Sequence, residues 1–154
     1  TAHLRGKMIL SRPALHQGFE NSLDKRNVAI HEFAHLIDMA DGEIDGLPKQ
    51  ISEQGYALPW LELIARKIKQ INNRNSDIRD YGATNNAEFF SVASEYFFER
   101  PKRLKQKHPQ LYRHLERFYK QNRAEVHVAE RIRKKASCPC GSGKRYKRCC
   151  MSIT

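Results

Sequence analysis

In residues 27–38, NVAIHEFAHLID, apolar side chains recur at Val28, Ile30, Phe33, Ala34 and Ile37. That spacing predicts a helix with one face turned to a core. Ser22 or Asp24 is its expected cap, and Asp41-Gly42 its expected stop. Inside it stands His31-Glu32-Phe33-Ala34-His35, an H-E-x-x-H sequence. Positions i and i+4 share a helix face, so two imidazoles can grip one metal ion. Glu32 is rotated by about 100° from His31. There a carboxylate stands beside the ligands and can take a proton from an activated water. The apolar flanks carry these polar groups into a core, where they need partners. A metal supplies one; ordinary hydrogen bonds between core histidines are the other use of the same residues.

A catalytic zinc takes three protein ligands and keeps one position open. The third is sought on a second helix, capped by Thr84 or Asn85 and running through Phe89, Phe90, Val92, Ala93, Tyr96 and Phe97 to Glu99-Arg100-Pro101. This helix is apolar nearly all round, which makes it central. Glu88 stands in its first turn, and Glu95 lies seven residues on, near the same face. Either can reach the metal. Glu88 has the alternative of closing a capping box; Glu95 can instead pair with a basic neighbour or hold a ligand histidine.

Around this pair, residues 7–11 (KMILS) read as a short strand. The acidic loop 41–48 (DGEIDGLP) lacks the ligand order of a calcium loop. Residues 60–71 form an amphipathic helix whose Trp60 belongs to the core, and further helices are expected around Leu104 and over residues 109–119. The chain of 154 residues carries a formal charge of +11. Residues 123–148 hold nine Lys/Arg against Glu125 and Glu130, so the tail is its basic part. Such a patch attracts nucleic acid, the ribosome or an acidic protein, or is simply a solvated face. No stretch of about 18 apolar residues and no leader is visible, so no membrane span and a cytoplasmic setting are expected.

Cys138, Cys140, Cys149 and Cys150 lie within one short segment, where a disulfide framework would scatter them. Vicinal cysteines also make poor disulfide geometry. Four thiolates so spaced suit a closed, structural zinc site. Gly141 and Gly143 permit the tight turn, while Lys144, Arg145, Lys147 and Arg148 offset the thiolate charge.

Residues 27–38 together with residues 81–98 (YGATNNAEFFSVASEYFF) resemble the Mlc titration factor A family of metallopeptidases, which are gluzincins, and more distantly the catalytic domain of anthrax lethal factor. The resemblance implies a zincin-like domain in which Glu88 joins His31 and His35 as the third zinc ligand, Glu32 is the general base and Tyr81 steadies the oxyanion. It implies a support role for Asp38, either orienting a ligand or tying the two central helices together. It also implies a peptide or protein substrate and mainly aminopeptidase action. The name-giving member binds a transcriptional repressor, which gives a second reading: a regulatory fold that sequesters a partner. The family has further strands and helices upstream of the first helix, where this sequence is short, so an incomplete cleft edge is expected.

Residues 137–150 (SCPCGSGKRYKRCC) resemble the SEC-C motif, which implies a second, purely structural zinc and docking to a protein or ribosomal partner. The expected class is therefore mainly α (α+β). It comprises a zincin-like domain over residues 1–121 with a short N-terminal strand, a basic helical linker over 122–136, and a four-cysteine zinc knuckle over 137–154. Two zinc ions are expected, one catalytic and one structural.

Overall fold

The computed structural model of the chain describes residues 11–13, 27–53, 55–125, 135 and 142–148. The chain divides into two compact units, residues 1–123 and 124–154. In the first, α1 spans Val28–Asp38. Asn27 caps it, its side chain accepting from the Ile30 amide at 3.2 Å. The expected caps Ser22 and Asp24 lie outside the described residues. The cap sits directly before the apolar run, where a helix start is read. A 3-10 turn, Met39–Asp41, follows, and Gly42 ends it with φ 103°.

Next come α2 (Lys49–Glu53), α3 (Ala57–Asn72), a 3-10 turn (Asp80–Ala83), α4 (Asn86–Glu99), α5 (Pro101–Lys107) and α6 (Pro109–Tyr119). Pro101 and Pro109 each open a helix, where their missing N–H costs nothing. The described residues are helical and include no strand. Of the expected strand over residues 7–11, residues 7–10 lie outside the described residues and Ser11 has no regular structure.

The sequence of α4 predicts a central helix, and its residues 89–97 are all buried. Phe89, Phe90 and Phe97 are fully enclosed, which stabilises the fold by about 2–3 kcal/mol per ring. Trp60 of α3 meets the Phe90 ring edge-on at 6.2 Å between centroids. Both α1 and the Asp80–Ala83 turn lie along α4. The centre of the unit is thus one helix that carries acidic residues between its aromatic ones.

One glycine joins three elements. Gly46 adopts φ 77°, and a Cβ there would lie 2.4 Å from the Asn86 carbonyl group at the start of α4. Its N–H donates to Asp38 Oδ2 at 2.8 Å, and its carbonyl accepts from Trp60 Nε1 at 2.7 Å. The loop therefore ties the end of α1 and the start of α3 to the first residue of α4. No helix among the described residues is long and apolar enough to cross a membrane. In the second unit the described segment holds a 3-10 turn, Tyr146–Arg148, preceded by Gly143 at φ 70°. The four cysteines lie outside the described residues.

Candidate metal centre

His31 and His35 stand one turn apart on α1, and their Nε2 atoms approach to 3.2 Å. Glu88 comes from the first turn of α4. Asn85 caps that helix by accepting from the Glu88 amide at 2.8 Å, so the backbone of Glu88 does half of what a capping box does. Its carboxylate turns to the histidines instead. Glu88 Oε2 lies 3.1 Å from His31 Nε2 and 3.5 Å from His35 Nε2. Among the described residues this is the one group of three or more His, Cys, Asp or Glu side chains placed to share an ion.

The donor set can be tested against zinc. Ligand bonds of about 2.0–2.2 Å at tetrahedral angles give ligand-to-ligand edges of about 3.3–3.5 Å. The three observed separations, 3.1, 3.2 and 3.5 Å, come within about 0.2 Å of those edges. The protonation pattern agrees. His31 Nδ1 lies 2.8 Å from Glu95 Oε1; a carboxylate only accepts, so the ring proton sits on Nδ1 and the Nε2 lone pair faces inward. Glu88 Oε2 is buried and makes no hydrogen bond, although that nitrogen is near. Lone pairs directed at one point are costly to bury without a cation between them. The residues fit zinc.

Glu95 is 1% exposed and accepts from three residues. Its Oε2 takes the Asn27 amide at 2.6 Å, and its Oε1 takes His31 Nδ1 and the Arg79 guanidinium. Of the two α4 carboxylates read from the sequence, Glu88 is therefore the one beside both imidazoles, and Glu95 holds one of them while pairing with a basic neighbour. Burial works against a charged His31, yet the Glu95 hydrogen bond and the charges of Glu95, Glu88 and Glu32 outweigh it and raise its pKa. Glu32 is itself buried, and its charge bears on both His31 and Tyr81.

Tyr81 lies in the Asp80–Ala83 turn, its ring 5.9 Å from that of His31. Desolvation, the charge of Glu88 and a hydrogen bond to Glu88 raise the pKa of its phenol, which stays a donor at neutral pH. The residue is 52% exposed, so this side of the centre is open to an incoming molecule. Asp38 is wholly buried. Its observed bond goes to the Gly46 loop, and so it ties α1 to α4 through that loop rather than directly. Burial is the main cause that lifts its carboxyl to about 6.

Sequence reasoning missed Arg79, Asn27 and Gly46. Asn27 had a local signal as the polar residue before the apolar run; Arg79 and Gly46 act through tertiary contacts. A groove of about 620 Å³ between α3 and α6 is lined by Glu62, Arg66, Arg113 and Arg117 among others. It holds none of the residues above, and its mixed charges offer no metal-binding set.

The sequence profile of a family described as glucose-regulated metallo-peptidase M90 matches residues 1–120. The chain belongs to this family. A second profile, the SEC-C motif, matches residues 135–152. Both resemblances read from the sequence are thereby shown. Similar proteins include an uncharacterized protein of Synechocystis sp., 39% identical over 119 residues, which cover 74% of this chain and 43% of that one. Mlc titration factor A of Serratia proteamaculans is 32% identical over 124 residues, covering 77% of this chain and 47% of the relative. The protein of the same name from Yersinia pestis is 32% identical over 126 residues, covering 77% and 45%. The M90 chain thus spans about half the length of the curated relatives it matches.

Proposed function

We propose that the M90 unit is a zinc peptidase in which His31, His35 and Glu88 hold the metal, Glu32 is the general base and Tyr81 the oxyanion donor. The observation that carries this reading is the set of three inward-facing donor atoms at zinc-like separations, beside a half-exposed phenol. A zinc ion held there supplies a Lewis acid that brings the pKa of a water toward neutrality and polarises a carbonyl. The protein's own groups do the rest. Glu32 accepts the proton of the attacking water and delivers it to the leaving amine. The Tyr81 hydroxyl donates to the carbonyl oxygen as charge develops on it. Glu95 keeps the His31 ring in one tautomer and one orientation, while Asp38 holds α1 against the loop that abuts α4. The substrate is a peptide, trimmed from its amino end.

In the tail, Cys138, Cys140, Cys149 and Cys150 hold a second, structural zinc, as the SEC-C match suggests. The division into a peptidase domain over residues 1–121, a linker over 122–136 and a knuckle over 137–154 belongs to the same proposal. A second reading rests on the relatives named titration factor: the unit captures a protein partner and hydrolysis is incidental. An intact Glu32 beside the metal set favours the first, since capture needs no base.

Elemental analysis of zinc tests the proposal. It is applied to the wild type, to Glu88→Ala and to a variant with Cys138→Ser and Cys140→Ser, with peptidase assays on the same samples. Two ions in the wild type, one lost in each variant, and activity lost with Glu88 are expected. Two ions retained in Glu88→Ala would remove Glu88 from the ligand set. A wild type holding two ions but hydrolysing no peptide would leave the capture reading.

A further inference from the structure

Residues 77–82 run along one face of α4. Asp77 Oδ2 accepts from the Tyr96 hydroxyl at 2.8 Å, and Ile78 is buried. Arg79 pairs with Glu95. The Tyr81 ring lies 5.9 Å from that of His31, and a Cβ on Gly82 would lie 3.3 Å from Val92. Glu88, Val92 and Glu95 are at i, i+4 and i+7, a single stripe of the helix. The turn carrying Tyr81 is therefore laid lengthwise over the stripe that also carries the metal carboxylate and the partner of His31.

Arg79 is where these two functions meet. Its guanidinium reaches the same Glu95 oxygen that accepts from His31 Nδ1. Its backbone carbonyl accepts from the Gly82 amide at 2.9 Å and so closes the turn around Tyr81. The Tyr81 ring is too exposed for packing to hold it, so the position of its phenol follows the turn. A buried carboxylate that receives only neutral donors is poorly compensated. The Arg79 charge-assisted bond supplies the compensation and fixes where Oε1 lies.

We infer that Arg79 is a positioning residue of this centre: through Glu95 it holds the His31 ring toward the metal, and through its own turn it holds the Tyr81 ring beside His31. The inference rests on the peptidase reading for Tyr81, but its His31 half concerns metal binding alone. Glu95 is shared between the imidazole and the guanidinium, and Arg79 keeps the two in register. A lysine there would retain the charge and lose the planar guanidinium.

The test compares Arg79→Met, Arg79→Lys and Glu95→Gln with wild type in the full chain, with circular dichroism to verify folding. Zinc affinity of the His31 centre is measured by competition with a chelator, and kcat and KM are taken at saturating zinc. Arg79→Met is expected to weaken zinc binding by about 10–100-fold, and to lower kcat at full occupancy with KM nearly unchanged. Arg79→Lys should recover part of both. The double variant Arg79→Met/Glu95→Gln should bind zinc no more weakly than the worse single variant. Wild-type zinc affinity and kcat in Arg79→Met would overturn the inference, as would full additivity in the double variant. Should Arg79→Met fail to fold, Arg79→Lys carries the same comparison. Should the wild type itself prove inactive, the peptidase reading fails, while the zinc-affinity comparison still decides the action of Arg79 on His31.

Discussion

Replacing Gly46 by alanine should loosen the whole unit, and the size of the effect follows from its surroundings. The new Cβ would stand 2.4 Å from the carbonyl carbon and oxygen of Asn86 and 2.8 Å from the Ala87 nitrogen. All three are backbone atoms that cannot rotate away. An ordinary contact needs about 3.5 Å, so the loop must retreat by roughly 1 Å. That retreat draws its bonds to Asp38 and Trp60 out to about 3.7 Å, past hydrogen-bonding range. Two buried bonds cost about 1 kcal/mol each, and left-handed backbone at a residue with a Cβ costs about 1–2 more. The expected loss is about 3–4 kcal/mol. Gly42 supplies the control, for it also has positive φ, but a Cβ there would meet nothing within 4 Å; Gly42→Ala should lose only the backbone share. Urea unfolding followed by circular dichroism measures both variants at matched slope. Equal losses in the two would refute the clash argument, and a loss below about 1 kcal/mol in Gly46→Ala would refute the conformational one as well.

Three further outcomes are expected. Glu32→Gln should keep its zinc and lower kcat by about 10²–10⁴; loss of the ion, read by elemental analysis, would make Glu32 a structural residue. Asp38 has a folded pKa of about 6, above the ordinary 3.8, so its ionised form is disfavoured in the fold. The penalty is absent below about pH 4, grows between about pH 4 and 6, and is complete above. In metal-free protein Asp38→Asn should accordingly raise the melting temperature at pH 7 and leave it unchanged at pH 4; a lower melting temperature at pH 7 would contradict this. His31 shows the opposite kind of linkage, because its folded pKa is raised. Its contribution to the metal-free fold is full below about pH 6.5 and is lost as pH rises through the folded value. The melting temperature of metal-free wild type should decline over that range, and Glu95→Gln should flatten the decline, as calorimetry at stepped pH would record.

Local grammar explains what the sequence made legible. Asn85 followed by Glu88 announces a helix start, the H-E-x-x-H spacing announces a two-histidine face, and the aromatic run of α4 announces burial on all sides. Each signal spans a few residues. The choice between Glu88 and Glu95 was not legible from spacing, because both lie near one face of α4; it turns on where α1 crosses that helix. Arg79 is 16 positions from Glu95, and its sequence neighbours give no sign of the pairing. Gly46 reads as one more loop residue in DGEIDGLP until Asn86, far along the chain, is found against its Cα. The cap of α1 was missed for another reason. Several polar residues precede the apolar run, and a cap read at Ser22 or Asp24 passes over Asn27, the one directly before it.

Trp60 is the chain's single tryptophan, and its indole N–H is engaged by the Gly46 carbonyl. Tryptophan emission, excited at wavelengths that the six tyrosines do not absorb, therefore originates at the one peptide unit where α1, α3 and α4 meet. An emission shift to the red that precedes loss of helix would be seen if this junction opens first on denaturation. The molecule in this sense carries its own optical gauge, needing no label, of whether the loop behind the metal residues is closed.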